Sequence, residues 1–272
     1  MNSLHTAQIL KRHIDAQPPK VYESWRCSSL GGCPREHYFK RLGVEETQPK
    51  DDRTRRKFLA GDWFHEFIQE LTIQEVEKMG GVAVKEKELY DEELDLGGRY
   101  DLLIEADDTR ILKDYKTQHS GFFHKLERAA KVLMSPDKDI YAAGRVWRDA
   151  EPEQRQEYTK KALWSEYPHM VKQLAGYMLL LKRAGTPVDE GIIVRVSKDD
   201  LSLAEVHFEL TPELEKLVLE EVEMLNAHWR EKTLPPCICP TLYDGKAVEW
   251  CVYGDGKRCC NENLASKLIK EK

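Results

Sequence analysis

The sequence predicts an α/β protein in which helices flank a mixed β-sheet. Residues 82–116 carry short aliphatic and β-branched runs separated by turn residues, a pattern typical of strands. Apolar residues recur at helical spacing before this region, and a strong helical pattern at 167–183 precedes two more strand-like runs. Strands that alternate with helical segments favour a sheet covered by helices over a sandwich or a bundle.

The composition is typical of a cytoplasmic protein. The 272 residues include no apolar run of membrane-spanning length, and residues 1–20 lack the apolar segment of a secretory signal. We therefore expect no membrane partner. A net charge of -6 argues against a general nucleic-acid coat but not against a nuclease, because binding follows local patches. Seven cysteines in such a chain favour metal ligation over disulfides.

The N-terminal third is predicted to be mainly helical. A first helix ends before Pro18, and Pro34 suits the first turn of a second helix that runs to Leu42. Gly61 is predicted to open a third helix, which ends at Gly80. The apolar positions of this third helix recur at helical spacing: Phe64, Phe67, Ile68 and Leu71.

The remaining elements follow from alternating strand and helix patterns. Three strands are predicted between 82 and 116, the second covering 94–105 and the third 110–116. Residues 118–165 are predicted to form a helical insertion over or near a functional site. After the helix at 167–183, strands are predicted at 192–196 and 203–210. Thr211 and Pro212 then predict the start of a last helix that reaches about Trp229.

The most informative segment is a predicted hairpin that carries two aspartates and a lysine. If its turn is centred between Asp107 and Asp108, Asp101 falls opposite Asp114. Opposed residues share a face of the sheet, and so do positions two apart on one strand, so Lys116 projects beside both carboxylates. Two carboxylates held this close favour a bound cation between them. The sequence therefore predicts a metal site for cutting nucleic acid.

Four motifs, in the order in which they occur along the chain, resemble those of the PD-(D/E)XK nuclease superfamily. They are His65 on an early helix, Gly98-x-x-Asp101, Asp114-x-Lys116, and Gln173-x-x-x-Tyr177. The chain is most similar to the RecB-like exonuclease branch, which includes AddB-type nuclease domains and CRISPR-associated exonucleases. The resemblance implies a single nuclease domain over 1–272 with a restriction-endonuclease-like mixed central sheet flanked by helices.

The resemblance also implies a role for each motif residue. His65, Asp101, Asp114 and the backbone carbonyl of Tyr115 would hold Mg²⁺ or Mn²⁺, ions that prefer oxygen ligands. Lys116 would polarise the scissile phosphate or help to activate the attacking water. Gln173 and Tyr177, one helical turn apart, would contact the DNA or orient Lys116. The alternative for this last pair is that Tyr177 packs in the core while Gln173 caps another element.

Cysteines form a second constellation. In the relatives with a metal cluster, one N-terminal cysteine and three C-terminal ones bind a 4Fe–4S cluster that joins the ends of the chain. Cys33 matches the first position, and Cys251 is the favoured match in the Cys-rich tail at 234–260. The usual C-terminal spacing is absent, since Gly254 stands where the next ligand is expected. Two further ligands would come from this set: Cys237, Cys239, Cys259 and Cys260.

A structural zinc site within the tail is the alternative to the iron–sulfur cluster. The iron–sulfur interpretation gives Cys33 a role that zinc bound by the tail alone does not. Cys27 is expected to be spare in either case. Both interpretations assign the metal a structural role, because the tail has little core-forming pattern of its own.

We expect a Mg²⁺- or Mn²⁺-dependent deoxyribonuclease, an exonuclease acting on single-stranded DNA or DNA ends. The alternatives are a structure-specific endonuclease on the same fold and a non-catalytic DNA-binding scaffold. No Walker A loop is present, so a helicase or a recombination or adaptation partner would supply any unwinding. The resemblance implies a bacterial, archaeal or phage-encoded protein and leaves its oligomeric state open. Five aromatic residues could stack on DNA bases: Trp25, Tyr38, Phe39, Phe122 and Phe123.

Overall fold

The computed structural model describes residues 5–16, 22–135, 140–238 and 251–254. The chain divides into two compact units. The terminal unit comprises Met1–Trp25, Gly32–Trp63 and Glu223–Lys272, and the sheet unit comprises Arg26–Gly31 and Phe64–Val222. None of the helices in the described ranges has the length and apolar character needed to cross a membrane.

Helices and strands alternate through the described chain. The helices are α1 (Thr6–Asp15), α2 (Pro34–Leu42), α3 (Asp52–Lys78), α4 (Ser120–Met134), α5 (Ile140–Asp149), α6 (Pro152–Glu166), α7 (Pro168–Arg183) and α8 (Pro212–Arg230). The strands are β1 (Trp25–Arg26), β2 (Val82–Lys85), β3 (Glu88–Asp91), β4 (Leu96–Arg99), β5 (Leu102–Ala106), β6 (Thr109–Gln118), β7 (Glu190–Ser197) and β8 (Leu203–Phe208). A short 3₁₀ helix covers Cys27–Ser29.

The main sheet has five strands in the order β2-β5-β6-β7-β8. β6 and β7 pair in parallel, and the other neighbours pair antiparallel. A smaller sheet has the order β1-β4-β3. The predicted α/β class, with mixed sheets flanked by helices, is therefore confirmed.

Alternation along the strands gives the main sheet two different faces. One face carries a buried apolar cluster that packs against α3 through Ile68, Ile73 and Val76. The strand residues of this cluster are Leu102, Ile104, Tyr115, Ile192, Val194 and Val196. The other face meets α7, and a Cβ at Gly191 would lie 3.1 Å from Leu174 of that helix. Asp114 and Lys116 lie on this second face because they alternate with Tyr115.

Two predicted boundaries were wrong. α3 begins at Asp52 rather than at Gly61, since the Asp51 carboxylate accepts the Thr54 backbone N–H at 2.8 Å and caps the helix. The predicted strand at 94–105 is two strands, β4 and β5, in different sheets. The chain breaks at Asp101, whose carbonyl accepts hydrogen bonds from the Glu86 N–H and the Gln69 amide.

The terminal unit has an aromatic core of its own. The Arg41 guanidinium lies between two indole rings, 4.4 Å from the Trp25 centroid and 4.3 Å from that of Trp229. Tyr38 contacts both of these rings, and Phe39 packs edge-on against Tyr253. Trp25, Tyr38 and Phe39 are thus core residues and cannot offer stacking surfaces.

Candidate functional site

The register of the β5–β6 hairpin places the predicted site residues. Leu102 pairs with Lys113, and the pairing continues to Ala106 and Thr109. One step beyond Leu102, the same register sets Asp101 opposite Asp114. Asp107 and Asp108 form the turn with φ angles of 49° and 61°, a conformation that aspartate tolerates better than most residues.

Asp114 lies at the centre of a polar network on the α7 face of the sheet. Its side chain is only 1% exposed, and Lys116 Nζ lies 2.7 Å from its Oδ2. Gln173 of α7 bridges the pair, because its Oε1 accepts from Lys116 at 3.1 Å while its Nε2 donates to Asp114 Oδ1 at 3.3 Å. Gln173 therefore fixes the ammonium and the carboxylate relative to each other.

Asp101 joins this network through the backbone of β6. The Tyr115 N–H donates to Asp101 Oδ2 at 2.7 Å, which holds the carboxylate beside Asp114. The hydrogen bonds that its own carbonyl receives from Gln69 and Glu86 fix the Asp101 backbone. The carboxylate thus projects from a strand end whose position is set by three separate elements.

Burial makes both carboxylates harder to ionise than free aspartate. The Asp114 pKa is raised to about 6, chiefly by removal of the carboxyl from water; Lys116 opposes the shift and Asp101 adds to it. The Asp101 pKa is also raised, chiefly by burial, although Lys116 and the Tyr115 N–H counteract this effect. A pair of carboxylates held in this way gains most from a nearby cation, which would favour the charged form of both.

Tyr177 closes the inner end of the network. It is 3% exposed, and its hydroxyl lies 3.4 Å from Gln173 Nε2, so it supports the glutamine and is also part of the core. A contact thus supports each of the two interpretations of Tyr177, as a site residue and as a core residue. Burial also raises the Tyr177 pKa well above its usual value. A close approach of β4 allows this packing, since a Cβ at Gly98 would lie 2.5 Å from the Tyr177 ring.

His65 is a residue of α3, the helix that packs against the Tyr115 face of the main sheet. Its ring packs near the Tyr115 ring, with the centroids 6.3 Å apart. The charge of a protonated His65 would still lower the Asp114 pKa, so the two groups are electrostatically linked. The Tyr115 hydroxyl points away from the carboxylates, 3.2 Å from the Thr72 hydroxyl, and burial raises its pKa to about 12.

Two residues that the sequence argument did not single out lie beside this network. Arg195 of β7 pairs in register with Lys116 and is 1% exposed. Its guanidinium donates to the Phe122 carbonyl at 3.0 Å and to the Phe123 carbonyl at 3.2 Å, and so holds the first turn of α4. The sequence signal for it was a lone arginine in the apolar run of β7.

His169 is the second residue that was missed. It lies in the first turn of α7, four positions before Gln173, and is exposed. Partial burial of its ring and the nearby Lys116 ammonium lower its pKa. The available sequence signal was its spacing, because His169, Gln173 and Tyr177 recur every four residues and share one helix face.

The donor set suits a hard cation, although a complete cage is not preformed. Within the described ranges, no group of three or more His, Cys, Asp or Glu side chains is arranged to hold a metal ion. Asp114 Oδ2 is nevertheless buried, and the Lys116 ammonium at 2.7 Å is its partner among the described residues. An oxygen of this kind beside a second carboxylate has the chemistry of a Mg²⁺ or Mn²⁺ ligand.

Within the terminal unit, the structure brings two of the predicted cluster cysteines together. The sulfur of Cys33, the N-cap residue of α2, lies 4.0 Å from that of Cys237. Two thiolates on one tetrahedral zinc ion, each about 2.3 Å from it, lie about 3.8 Å apart, so the pair suits shared ligation. Cys251 is buried in the same unit. Cys239, Cys259 and Cys260 lie outside the described residues.

Comparison with protein-family models and with curated proteins gave no match. Among solved structures, one titled "Crystal structure of SSO0001" is similar to this chain with a TM-score of 0.43 and 16% sequence identity. The similarity covers 81% of this chain and 82% of that one.

Proposed function

We propose that the protein is a metal-dependent deoxyribonuclease that hydrolyses phosphodiester bonds, acting as an exonuclease on single-stranded DNA or DNA ends. The observation that carries the proposal is the buried network of Asp101, Asp114, Lys116 and Gln173 at opposed strand ends. A buried ion pair of this kind contributes little to stability, because the cost of removing its charges from water offsets their attraction. Its arrangement is better explained by chemistry at the site.

The network residues divide the chemical work. Asp101 and Asp114 would hold Mg²⁺ or Mn²⁺, with the Tyr115 carbonyl and His65 as the further ligands that the family resemblance implies. When bound, such an ion makes a water molecule more acidic and neutralises charge on the phosphate oxygens. Lys116 Nζ would contact a phosphate oxygen and stabilise the charge that develops there. Gln173 keeps the ammonium in position through its hydrogen bond.

The restriction-endonuclease-like fold and the cysteine-bound centre belong to the same proposal. The five-stranded mixed sheet between α3 and α7 supports the first. The 4.0 Å approach of Cys33 to Cys237 supports the second. We expect a 4Fe–4S cluster there, with structural zinc as the alternative.

Hydrolysis of an end-labelled single-stranded DNA in Mn²⁺ or Mg²⁺ tests the proposal. We expect cleavage that EDTA abolishes and that Asp114→Ala reduces at least about 100-fold, since a charge-stabilising group in the transition state contributes effects of this size. Asp199→Ala is the matched control, because Asp199 is a surface carboxylate of the same unit. Chelator-insensitive cleavage, or an Asp114→Ala variant as active as the wild type, contradicts the proposal.

Circular single-stranded DNA separates the two nuclease alternatives. An exonuclease leaves the circle intact and degrades the linear form of the same sequence, whereas a structure-specific endonuclease cuts both. Tight DNA binding without turnover under any divalent metal would instead identify a non-catalytic scaffold.

A further inference from the structure

We propose that His169 is a substrate-binding residue that donates a hydrogen bond to a backbone phosphate next to the scissile one. The inference rests on the proposed nuclease function and extends it to a residue outside the predicted motifs. Three observations carry it: the face that His169 shares with Gln173, the way in which His169 packs, and the positive charge of Lys116 and Arg195 near this face.

The first observation is the order of residues along one face of α7. Tyr177 is buried, Gln173 is half-buried, and His169 is exposed. Successive members of such a series lie about 5–6 Å apart at Cβ. The face therefore runs from the core, past the Lys116–Asp114 pair, towards solvent, and His169 occupies its open end.

The second observation is that the closest contact at this position is made by the backbone of His169. The tight contact at this position involves the main chain, because a Cβ at Gly31 would lie 2.7 Å from His169 Cα. The ring itself meets Tyr167 edge-on, with the centroids 6.2 Å apart. Replacement of the side chain therefore leaves the backbone contact with Gly31 in place.

The third observation is the positive charge around this end of the helix. Lys116 is close enough to lower the His169 pKa, and Arg195 lies next to Lys116 in the parallel register. Among the described residues, the Arg195 guanidinium donates to carbonyl oxygens of Gln118, Phe122 and Phe123 rather than to a carboxylate. An anionic strand whose scissile phosphate contacts Lys116 would carry its neighbouring phosphate towards this region.

The chemistry of His169 suits a hydrogen bond rather than an ion pair. A neutral imidazole donates from one ring nitrogen, and a phosphate oxygen is a strong acceptor. Such a contact releases no counterion, so it adds affinity without adding salt dependence. This distinguishes it from a lysine that contacts the same phosphate.

The test combines DNA binding with kinetics. Binding of a fluorescein-labelled single-stranded DNA is measured by anisotropy in EDTA, and KM and kcat are measured in Mn²⁺. We expect His169→Ala to weaken binding and raise KM about five- to tenfold, as for loss of one hydrogen bond, while kcat changes less than about twofold. The slope of log Kd against log salt should stay at the wild-type value.

Two further variants separate binding from structure. His169→Gln keeps a hydrogen-bond donor and should recover most of the affinity, and thermal denaturation should show the fold intact in both variants. His207→Ala is the matched control, because His207 is a half-buried histidine of β8 held by Glu190 at 2.8 Å. It should bind and cleave as the wild type does.

The two proposals fail separately. If the wild type cleaves and His169→Ala matches it in Kd and KM, or if His207→Ala loses as much affinity, the role of His169 is refuted and the nuclease stands. If His169→Ala weakens DNA binding but no metal supports Asp114-dependent cleavage, the phosphate contact stands and the nuclease is refuted.

Discussion

The buried carboxylate of Asp114 is unfavourable for stability, yet contacts with Lys116 and Gln173 hold it in position. Its carboxylate is removed from water, and in the described part of the chain its ionised form contacts the Lys116 ammonium and the Gln173 amide. Burial therefore makes the ionised form of Asp114 less favourable than it is in water, and its pKa is raised to about 6. A cation that binds beside Asp114 would favour the ionised carboxylate and so offset this cost.

This balance predicts how stability depends on pH. The Asp114 pKa is raised to about 6 in the folded protein, so between its ordinary pKa and pH 6 the folded state holds more protons than the unfolded state. Stability therefore falls as pH rises through that window. The side chain of Asp114→Asn cannot ionise. We therefore expect the variant to be more stable than the wild type, with a free energy of unfolding roughly 1–3 kcal/mol higher at pH 7.5 in EDTA.

Urea denaturation at pH 7.5 and at pH 4.5 measures this difference. The advantage of Asp114→Asn should shrink at the lower pH, where the wild-type carboxyl also becomes neutral. Asp199→Asn is the control, because the Asp199 pKa is lowered by its hydrogen bonds with Ser120 and the variant should gain nothing. A loss of stability in Asp114→Asn at pH 7.5 would show that the ion pair with Lys116 outweighs burial.

Site residues could be placed from the sequence where neighbouring residues in the chain determine their positions. Asp101, Asp114 and Lys116 could be placed together from the sequence, because the centre of one turn determines the register of a hairpin. Arg195 could not be placed beside Lys116 in the same way. Its strand is separated from β6 in the chain by four helices, and no local rule gives the register of such a parallel pair.

At the scale of elements, the position of α7 depends on small residues that face it. A Cβ at Gly98 of β4 would lie 2.5 Å from the Tyr177 ring and 3.2 Å from Cys27 Cβ. Gly176 of α7 is equally constrained, since its Cβ would lie 2.8 Å from the Leu30 side chain. The helix that carries Gln173 therefore approaches β4 and the 3₁₀ segment at distances that only glycine permits.

Gly98→Ala should disturb both the packing and the site. We expect a loss of about 1–3 kcal/mol in unfolding free energy from overpacking, together with reduced cleavage, because Tyr177 must move and it supports Gln173. Gly144→Ala in α5 is the matched control. Nothing lies within 4 Å of its added Cβ, so the variant should gain about 0.5–1 kcal/mol and keep full activity.

Differential scanning calorimetry and the DNA cleavage assay provide the two measurements. A Gly98→Ala variant as stable as the wild type would show that Tyr177 can rotate away at little cost. Cleavage would then report whether the position of Tyr177 matters for Gln173.

The elements themselves were predictable where their ends carry chemical signals. Pro34 and Thr211-Pro212 mark the starts of α2 and α8, and the structure places both helices there. The start of α3 was missed because Gly61 resembled a boundary, whereas Asp51 supplied the actual cap. The break between β4 and β5 was missed because tertiary hydrogen bonds to Asp101, rather than a turn residue, divide the strands.

At the scale of the whole molecule, each compact unit carries one of the predicted chemical centres. The carboxylate network lies within the sheet unit, and the Cys33–Cys237 pair lies within the terminal unit. Cys33 begins α2, and the neighbouring Arg35 donates to the Pro235 carbonyl at 2.9 Å, so an N-terminal helix and the C-terminal tail meet at the thiols. A metal bound there would join segments that are about 200 residues apart in the sequence.

Metal analysis of anaerobically purified protein tests this centre. We expect a brown, iron-containing sample, and we expect Cys33→Ala to lose the iron and to unfold at a lower temperature, because metal binding stabilises the folded state. Cys27→Ala is the control, since Cys27 packs in the sheet unit against Gly98 and Gly176 and should leave the metal content unchanged. A colourless protein with zinc that Cys33→Ala removes would identify the zinc alternative. If Cys33→Ala retains all its metal, the thiol pair is not a ligand pair, and the approach of the two sulfurs reflects packing alone.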